Sequence, residues 1–561
     1  MAVGSRVWKQ VLCRIFPHVS TDGEDWQKIT TGTATSNGSA GGTTVISTGV
    51  ISGAADAYNG RYWIEMRSGT CKGQWKRIVD DDGAGTYTLE NNGFSAQIDS
   101  GDEFAVWKSP EPVIVADGAG GGAGLTTTTL DDDYRDEDDD FWNGMYLMPI
   151  TGTLRGQIKQ ITDFDKTGGA QEGLFTFGAF TAAPAAGDVF LLGRFLEIEV
   201  SALPDQYEYI PRPMSRVNYS IADGSTGSRG GDFAFKTRVH GSGTLAAADA
   251  EANKSVLDPL FSAAGLEVSA GSSATIGAGS TTTAVKVLTG KWENFVIGQC
   301  VEYMGNIRRI TAQTDGGAGV DTITVTPPFP SAPVSGQVLH ACRTYKKSVD
   351  AVALYGCGIE IEIDGVRTIM TGCKGNLELI HGPAIEFSWS FSVDHWTIEY
   401  EDAPYNPWSA YSGVEQIQGR DMWAWIDTTQ VDIKGFSAYV GREIAARSVG
   451  GRYGANSRAG FHHTGYMCGA TFTEIMADGA ELEAINDFTS RQYYALMVVY
   501  GAHADAVAVT IPVGRYTQYP VPKNGDGLVE ATRVLQAQDA NTSTNPDGTI
   551  IKIPDFAISL T

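Results

Sequence analysis

Apolar and polar residues alternate through Ile359-Glu360-Ile361-Glu362-Ile363, the two-residue period of a strand buried on one face. Asp364-Gly365 follows as a tight hairpin turn, because Gly accepts the positive φ that such turns demand. Three more strands are predicted over 366–370, 376–380 and 384–393, with His381-Gly382-Pro383 breaking the chain before the last. Together they form an antiparallel meander, with Glu360 and Glu362 facing away from the apolar side. Upstream, 233–239 alternates in the same manner and runs into Gly241-Ser242-Gly243-Thr244. The period then turns helical over 245–264, placing Leu257, Leu260, Phe261 and Ala264 on one face, with Gly265 as the stop. Strands are also predicted at 7–16, 195–200, 431–440, 468–476, 494–500 and 506–511. Another, at 528–535, follows the turn Asn524-Gly525-Asp526-Gly527, and a short helix is predicted at 480–488.

A segment repeats three times. Gly73-Gln74-Trp75-Lys76-Arg77-Ile78, Gly156-Gln157-Ile158-Lys159-Gln160-Ile161 and Gly305-Asn306-Ile307-Arg308-Arg309-Ile310 share one spacing. Each is preceded by a strand opened by a glycine (Gly60, Gly144, Gly298) and followed by a closing strand after Gly101, Gly187 or Gly336. A Thr cluster lies upstream of each, at 43–44, 126–129 and 281–283. Self-similarity of this kind marks three copies of one small β-module, a barrel or sandwich of short strands. The residues three apart, such as Trp75 and Ile78, fall on opposite faces of a strand.

Strand, Gly-Ser-Gly-Thr, a helix ending Ala263-Ala264-Gly265-Leu266, then a meander closing on Glu386-Phe387-Ser388-Trp389-Ser390-Phe391 resembles the tail tube proteins of long-tailed (siphovirus-type) bacteriophages. The resemblance covers 194–276 and 344–400. It implies a β-sandwich or barrel with a flanking helix, assembling into stacked rings around a DNA channel. The fold class expected is therefore mainly β: tail-tube-type domains plus three small repeated modules. The division expected is 1–30 for the N-terminal strand, 31–109 and 110–193 for modules 1 and 2, and 194–276 for the first tube domain. Module 3 takes 277–343, the first tube domain resumes over 344–400, and 401–561 repeats the strand–helix–strand order as a second tube-like domain. Insertion into exposed loops would set the modules on the outside of the tail, so that 31–193 could be excised without loss of assembly.

Composition narrows the function. The formal net charge of −25 argues against a surface that grips nucleic acid, yet suits a channel through which DNA slides. No apolar run of about 18 residues suggests a membrane span, and the first residues lack a secretory signal core, giving an expectation of cytoplasmic synthesis. Seven scattered cysteines without a Cys-x-x-Cys pair read as buried free thiols.

Candidate chemistry is sparse. The acidic run from Asp131 to Asp140 has carboxylates at nearly every position and no internal Gly, so it reads as a solvated linker rather than a calcium loop. Asp80-Asp81-Asp82-Gly83 fails as an EF-hand, since the frame set by Gly83 puts Ile78 and Leu89 at ligand positions. His462 and His463 are adjacent and cannot chelate one ion from a strand. The glycine-rich 118–124 leads into threonines and not a helix, and reads as linker, while Trp389 and Trp396 read as core. No hydrolase, phosphate-binding or metalloprotease motif occurs. No enzyme activity, cofactor or metal is expected.

The function expected is thus a structural virion protein of the tail, made in the host cytoplasm, forming rings of three or six subunits. Its partners would be itself, the tail terminator, distal tail and tape-measure proteins, and DNA passing without specific binding. Contacts between subunits are expected at Ile359, Ile361, Asp364 and Gly365, where a sheet edge could continue, and along the loop from Glu401 to Gln418. The alternatives are a capsid decoration or head-fibre protein, and a receptor- or carbohydrate-binding fibre.

Overall fold

Strands with one apolar face can bury that face and pair every backbone N–H by closing on themselves. The computed structural model does this. It describes residues 10–19, 26–47, 57–90, 93–116, 124–132, 135, 137–166, 173–204, 209–210, 225–226, 231–239, 255–269, 271–317, 319–347, 356–363, 366–400, 417–448, 458–476, 480–502, 505–525, 528–538, 542–547 and 550–561. Six strands carry the closure: β1 (Gln10–Pro17), β2 (Val189–Ala202), β3 (Gly231–Arg238), β4 (Cys357–Ile363), β5 (Val366–Ile380) and β6 (Glu386–Val393). They pair antiparallel in the circuit β1-β2-β3-β6-β5-β4 and return to β1. Ile359, Ile361, Phe233, Phe235, Phe387, Trp389 and Phe391 belong to the core of this barrel.

The helix α1 (Asp258–Ala263) packs on that core through Leu260 and Phe261, with Pro259 in its first turn. Phe261 stacks on Tyr345 with ring centres 4.2 Å apart and meets Trp389 edge-on at 5.6 Å. Leu257 and Ala264 are buried as the helical period required. Gly265 ends the helix at φ 86, its N–H donating to the Ser262 carbonyl. Among the described residues of the expected run, helix covers six at its end; 245–254 lie outside the described residues.

Two expected strands, 366–370 and 376–380, are one strand of 15 residues. Gly372 sits within it at φ 63, opposite a register shift between Cys357 and Ile359. A glycine in a strand marks a bulge as readily as an end, and here it bends β5 without ending it.

The C-terminal strands extend the same sheet. They are β7 (His395–Tyr400), β8 (Met422–Ile426), β9 (Ile433–Ser448), β10 (Arg458–Ile475), β11 (Tyr494–Ala502), β12 (Asp505–Tyr516), β13 (Leu528–Ala537) and β14 (Ala557–Leu560), with α2 (Ala480–Ser490) before β11. Pairing runs β5-β9-β10-β13-β12-β11-β8. Val440, Phe472, Val498 and Val509 join the barrel residues in one continuous apolar core. The N-terminal barrel and the C-terminal strands are therefore fused through their packing.

The three repeats have one topology. In each, the first strand pairs with the sixth, followed across the sheet by the third, fourth, fifth and second. The fourth strands are Trp75–Asp81, Lys159–Asp165 and Asn306–Thr314. Each carries a register shift directly after the isoleucine of the repeat, at Ile78, Ile161 and Ile310. Gly60, Gly144 and Gly298 all have positive φ and donate their N–H to the carbonyls of those isoleucines at 2.7, 3.0 and 2.9 Å. Backbone geometry thus accounts for the repeated glycines. In modules 1 and 3 a bridge between Ser36 and Ile46, or Ile276 and Val287, joins the first and second strand regions and closes a small barrel.

Candidate functional site

Strand alternation gives each module two apolar faces. Ile78, Ile161 and Ile310 fill the module interiors. Trp75, Ile158 and Ile307, three positions earlier, point the other way into separate clusters at the seams. At module 1 this seam joins Trp26, Trp63, Trp75 and Trp107 to Phe16 of β1 and Ile369 of β5. Trp26 meets Trp63 and Trp75 edge-on at 5.5 and 5.4 Å and donates its indole N–H to Thr371 Oγ1 at 2.9 Å. Module 3 lays Cys300, Ile307 and Cys342 against Trp425, Met497 and Val499. The first part of β2 completes module 2, and the rest pairs in the barrel. The modules are docked parts of the body and do not hang from loops. Excision of 31–193 would cut through this packing, which speaks against the expectation that it is harmless.

Beside the tryptophans lies a closed ring of six buried charges. Arg14 pairs with Glu111 at 2.6 Å, Glu111 with Arg77 at 2.6 Å, and Arg77 with Glu90 at 3.1 Å. Glu90 pairs with Arg367 at 3.1 Å, and Arg367 lies 3.9 Å from Glu360, which returns to Arg14 through a short ion pair. Every member has a side chain at most 2% exposed. Three cations and three anions cancel, which a buried cluster needs because isolated charges are expensive away from water. Arg14 and Arg77 also donate to the Leu192 and Gly60 carbonyls, each at 2.9 Å, and lie over the rings of Phe16 and Trp63. Burial pushes the Glu90 carboxyl up, but Arg367 and Arg77 outweigh it and hold the group at about 2. Glu111 is likewise lowered, its burial overcome by Arg77 and Arg14. The ring ties β1, β4 and β5 to module 1 and to the segment leading into module 2.

This changes the reading of Glu360. It does point away from the barrel interior, but module 1 covers it, so it neither meets solvent nor lines a channel. The acidic run is corrected too. Asp131, Asp132 and Glu137 are buried, the last two beside a fully buried Arg135. Asp132 takes both bonds from Arg61 of module 1 at 2.9 Å, and Glu137 accepts from Arg135 and from the Trp142 indole. Among the described residues Asp132 and Glu137 thus serve two arginines, while Asp138 and Asp139 are exposed, so this first part of the run is no solvated linker.

The expected contact residues separate. Ile359 and Ile361 are 0% and 2% exposed inside the barrel, and β4 is flanked by β1 and β5, leaving no edge for a neighbour. Their assignment as contacts is corrected. Asp364, Gly365 and Glu401 lie outside the described residues. Gln418 is exposed and bridges to Ala384. Two features were not foreseen. Among the described residues β7 pairs with β5 alone, and β9 and β10 continue beyond their neighbours as a two-stranded ribbon over Gly441 to Ser448. Met467 on that ribbon is 52% exposed.

Among the described residues no group of His, Cys, Asp or Glu could hold a metal ion, and no helix is long and apolar enough to cross a membrane. The seven cysteines are buried and free. Asp82 spends its carboxylate on the Ala84 and Thr86 N–H groups of a hairpin turn, each at 2.8 Å. Trp389 and Trp396 are core residues, and His462 and His463 lie in β10. The chain matches no known family model, and no characterised protein matches it in sequence.

Proposed function

We propose that this protein is a structural subunit of a long-tailed bacteriophage tail tube. Copies close into rings of three or six, the rings stack, and double-stranded DNA passes through the lumen without specific binding. What supports this reading most is the order strand, helix, strands, which occurs as β3-α1-β4-β5-β6 and again as β10-α2-β11-β12. The interior of the closed barrel is filled by Phe235, Trp389 and Phe391, so a conduit on this reading lies between copies. A net charge of −25 suits a lumen that DNA must leave freely. The modules would face outward, and the terminator, distal tail and tape-measure proteins would be partners in the virion. Ring contacts fall to the edge of β7 that has no strand partner among the described residues, to Asp364 and Gly365, and to the segment from Glu401 to Gln418. A decoration or fibre protein would account for the modules but gives the two strand–helix units no task.

Heterologous head-to-tail contacts generate closed rings. Light scattering on purified protein over a range of concentrations tests this. The expected mass is three or six times 59.8 kDa, or larger multiples as rings stack. A monomer at every concentration would refute the reading.

A further inference from the structure

Module 1 lies on module 2, and the contact shows how one β-module receives another. Two residues of module 1 make it. One is Gly60, where a Cβ would stand 2.6 Å from the side chains of Val113 and Val189. The other is Val79, the bulged residue after Ile78, which packs against the cluster holding Ile150 and Val189. Ile150 and Val189 oppose one another on the covered face, the Ile150 N–H donating to the Val189 carbonyl at 2.9 Å. They are 8% and 0% exposed.

The shared topology locates the same face in the other two modules. Ile150 lies six residues after Gly144, and Val189 two after Gly187; the same counts from Gly298 and Gly336 reach Met304 and Val338. Strand register agrees, because Val301 faces Ala341 and Glu302 faces His340, which carries Met304 opposite Val338. In module 1 the corresponding pair is Arg67 and Glu103, joined through the Arg67 N–H and the Glu103 carbonyl at 2.8 Å. Glu103 is exposed and Arg67 half-buried. The face is therefore charged where it meets solvent and apolar where a module covers it. Module 3 breaks this pattern. Its Met304 and Val338 are 62% and 40% exposed. Val334 stands beside them at 57%, its N–H held by the Tyr303 hydroxyl at 3.0 Å. Clustered apolar exposure of this kind marks a contact surface.

The covering strip recurs as well. Gly144 and Thr162 in module 2, and Gly298 and Thr311 in module 3, occupy the places of Gly60 and Val79: each glycine donates to the repeat isoleucine, and each bulge falls at the next residue. In module 3 the strip is occupied, with Pro554 Cδ 2.6 Å from where a Cβ on Gly298 would stand. In module 2 a Cβ on Gly144 meets nothing within 4 Å, and Thr162 is exposed. The strip of module 2 and the face of module 3 are thus both left uncovered.

We propose that they meet between molecules: Gly144 and Thr162 of one copy dock on Met304 and Val338 of a second copy, repeating the contact of module 1 with module 2. Strip and face are different surfaces, so the contact is head-to-tail, the kind that closes rings. Thr162 in place of Val79 suits a strip that stays in water until a neighbour arrives. This deepens the self-assembly proposed above and rests on it.

Thr162→Cys and Met304→Cys, made as separate proteins, test the contact by crosslinking with a short bis-maleimide; the native cysteines are buried. The two are mixed at concentrations where light scattering shows association. A crosslinked dimer is expected in the mixture and in neither protein alone. Met304→Glu should raise the concentration needed for half-association by about tenfold, with the thermal midpoint of the dilute protein unchanged. Ile29→Glu, at a site 45% exposed on module 1, should leave association as in wild type. Samples that scatter as assemblies yet give no crosslink in the mixture would overturn the module contact and leave ring formation standing. A wild-type monomer at every concentration would overturn both.

Discussion

Replacing Arg77 by Met puts the buried ring to its hardest test. Arg77 donates to Glu90 at 3.1 Å, to Glu111 at 2.6 Å and to the Gly60 carbonyl at 2.9 Å. Met fills much of the space over Trp63 and removes all three bonds. The ring then holds two cations against three anions, and Glu90 and Glu111 each keep one arginine. Removing one partner from a fully buried pair costs about 3–5 kcal/mol, because the charge left behind stays out of water. Urea unfolding followed by tryptophan emission reads this seam directly, since Arg77 lies 4.8 Å over Trp63. Arg67→Met is the control. Its pair with Glu65 spans 3.2 Å with side chains 30% and 20% exposed, and such pairs are worth under about 1 kcal/mol. Adding Glu111→Gln to Arg77→Met rebalances the ring, and the double variant should recover about 1–3 kcal/mol of the loss. An Arg77→Met cost no larger than that of Arg67→Met would refute the view that the ring locks module 1 to the barrel.

Acid should open the same seam. Glu90 and Glu111 are held below the ordinary carboxyl value, so their contribution is complete above the unfolded pKa of about 4.3 and fades as pH falls toward about 2. Tryptophan emission should therefore show an acid transition in that window, and a flat profile would contradict the lowered values. Gly60→Ala should destabilise more than Gly73→Ala in thermal melts. Both glycines have positive φ, but a Cβ at 60 would sit 2.6 Å from Val113 and Val189, whereas at 73 it meets nothing within 4 Å. Excising 31–193 should yield insoluble or unfolded protein, because Arg14 would lose Glu111, Arg367 would lose Glu90 and β2 would lose its first five residues, 189–193; a soluble, cooperatively melting product would show that the docked modules contribute little. A filter-binding assay at low salt should find negligible affinity for duplex DNA, and tight, salt-sensitive binding would contradict a non-adhesive lumen.

The sequence made local geometry legible and left long-range cover hidden. Alternation at Ile359 to Ile363 identified a strand and its inward face, and the repeated glycines identified turns that need positive φ. Opposite faces for Trp75 and Ile78 followed from strand period alone. What covers an outward face does not follow from period. Glu360 and Arg14 are separated by 346 positions, so nothing local signals their pairing. The acidic run misled for the same reason: its buried carboxylates are explained by Arg61, 71 positions from Asp132, and by Arg135 within the run. The strands expected at 366–370 and 376–380 are one, because the residues between them, with Gly372 at positive φ, form a bulge and not an end. Contact residues failed at Ile359 and Ile361 because closure of the barrel consumed both edges of β4, a consequence of β1 returning from the far N-terminus.

Electron microscopy of the purified full-length protein tests the central proposal most directly. The expected images show rings with a central hole, three- or six-fold symmetry and lobes on the outer rim, stacking into tubes as concentration rises. Isolated single particles, or rods without a lumen, would contradict it.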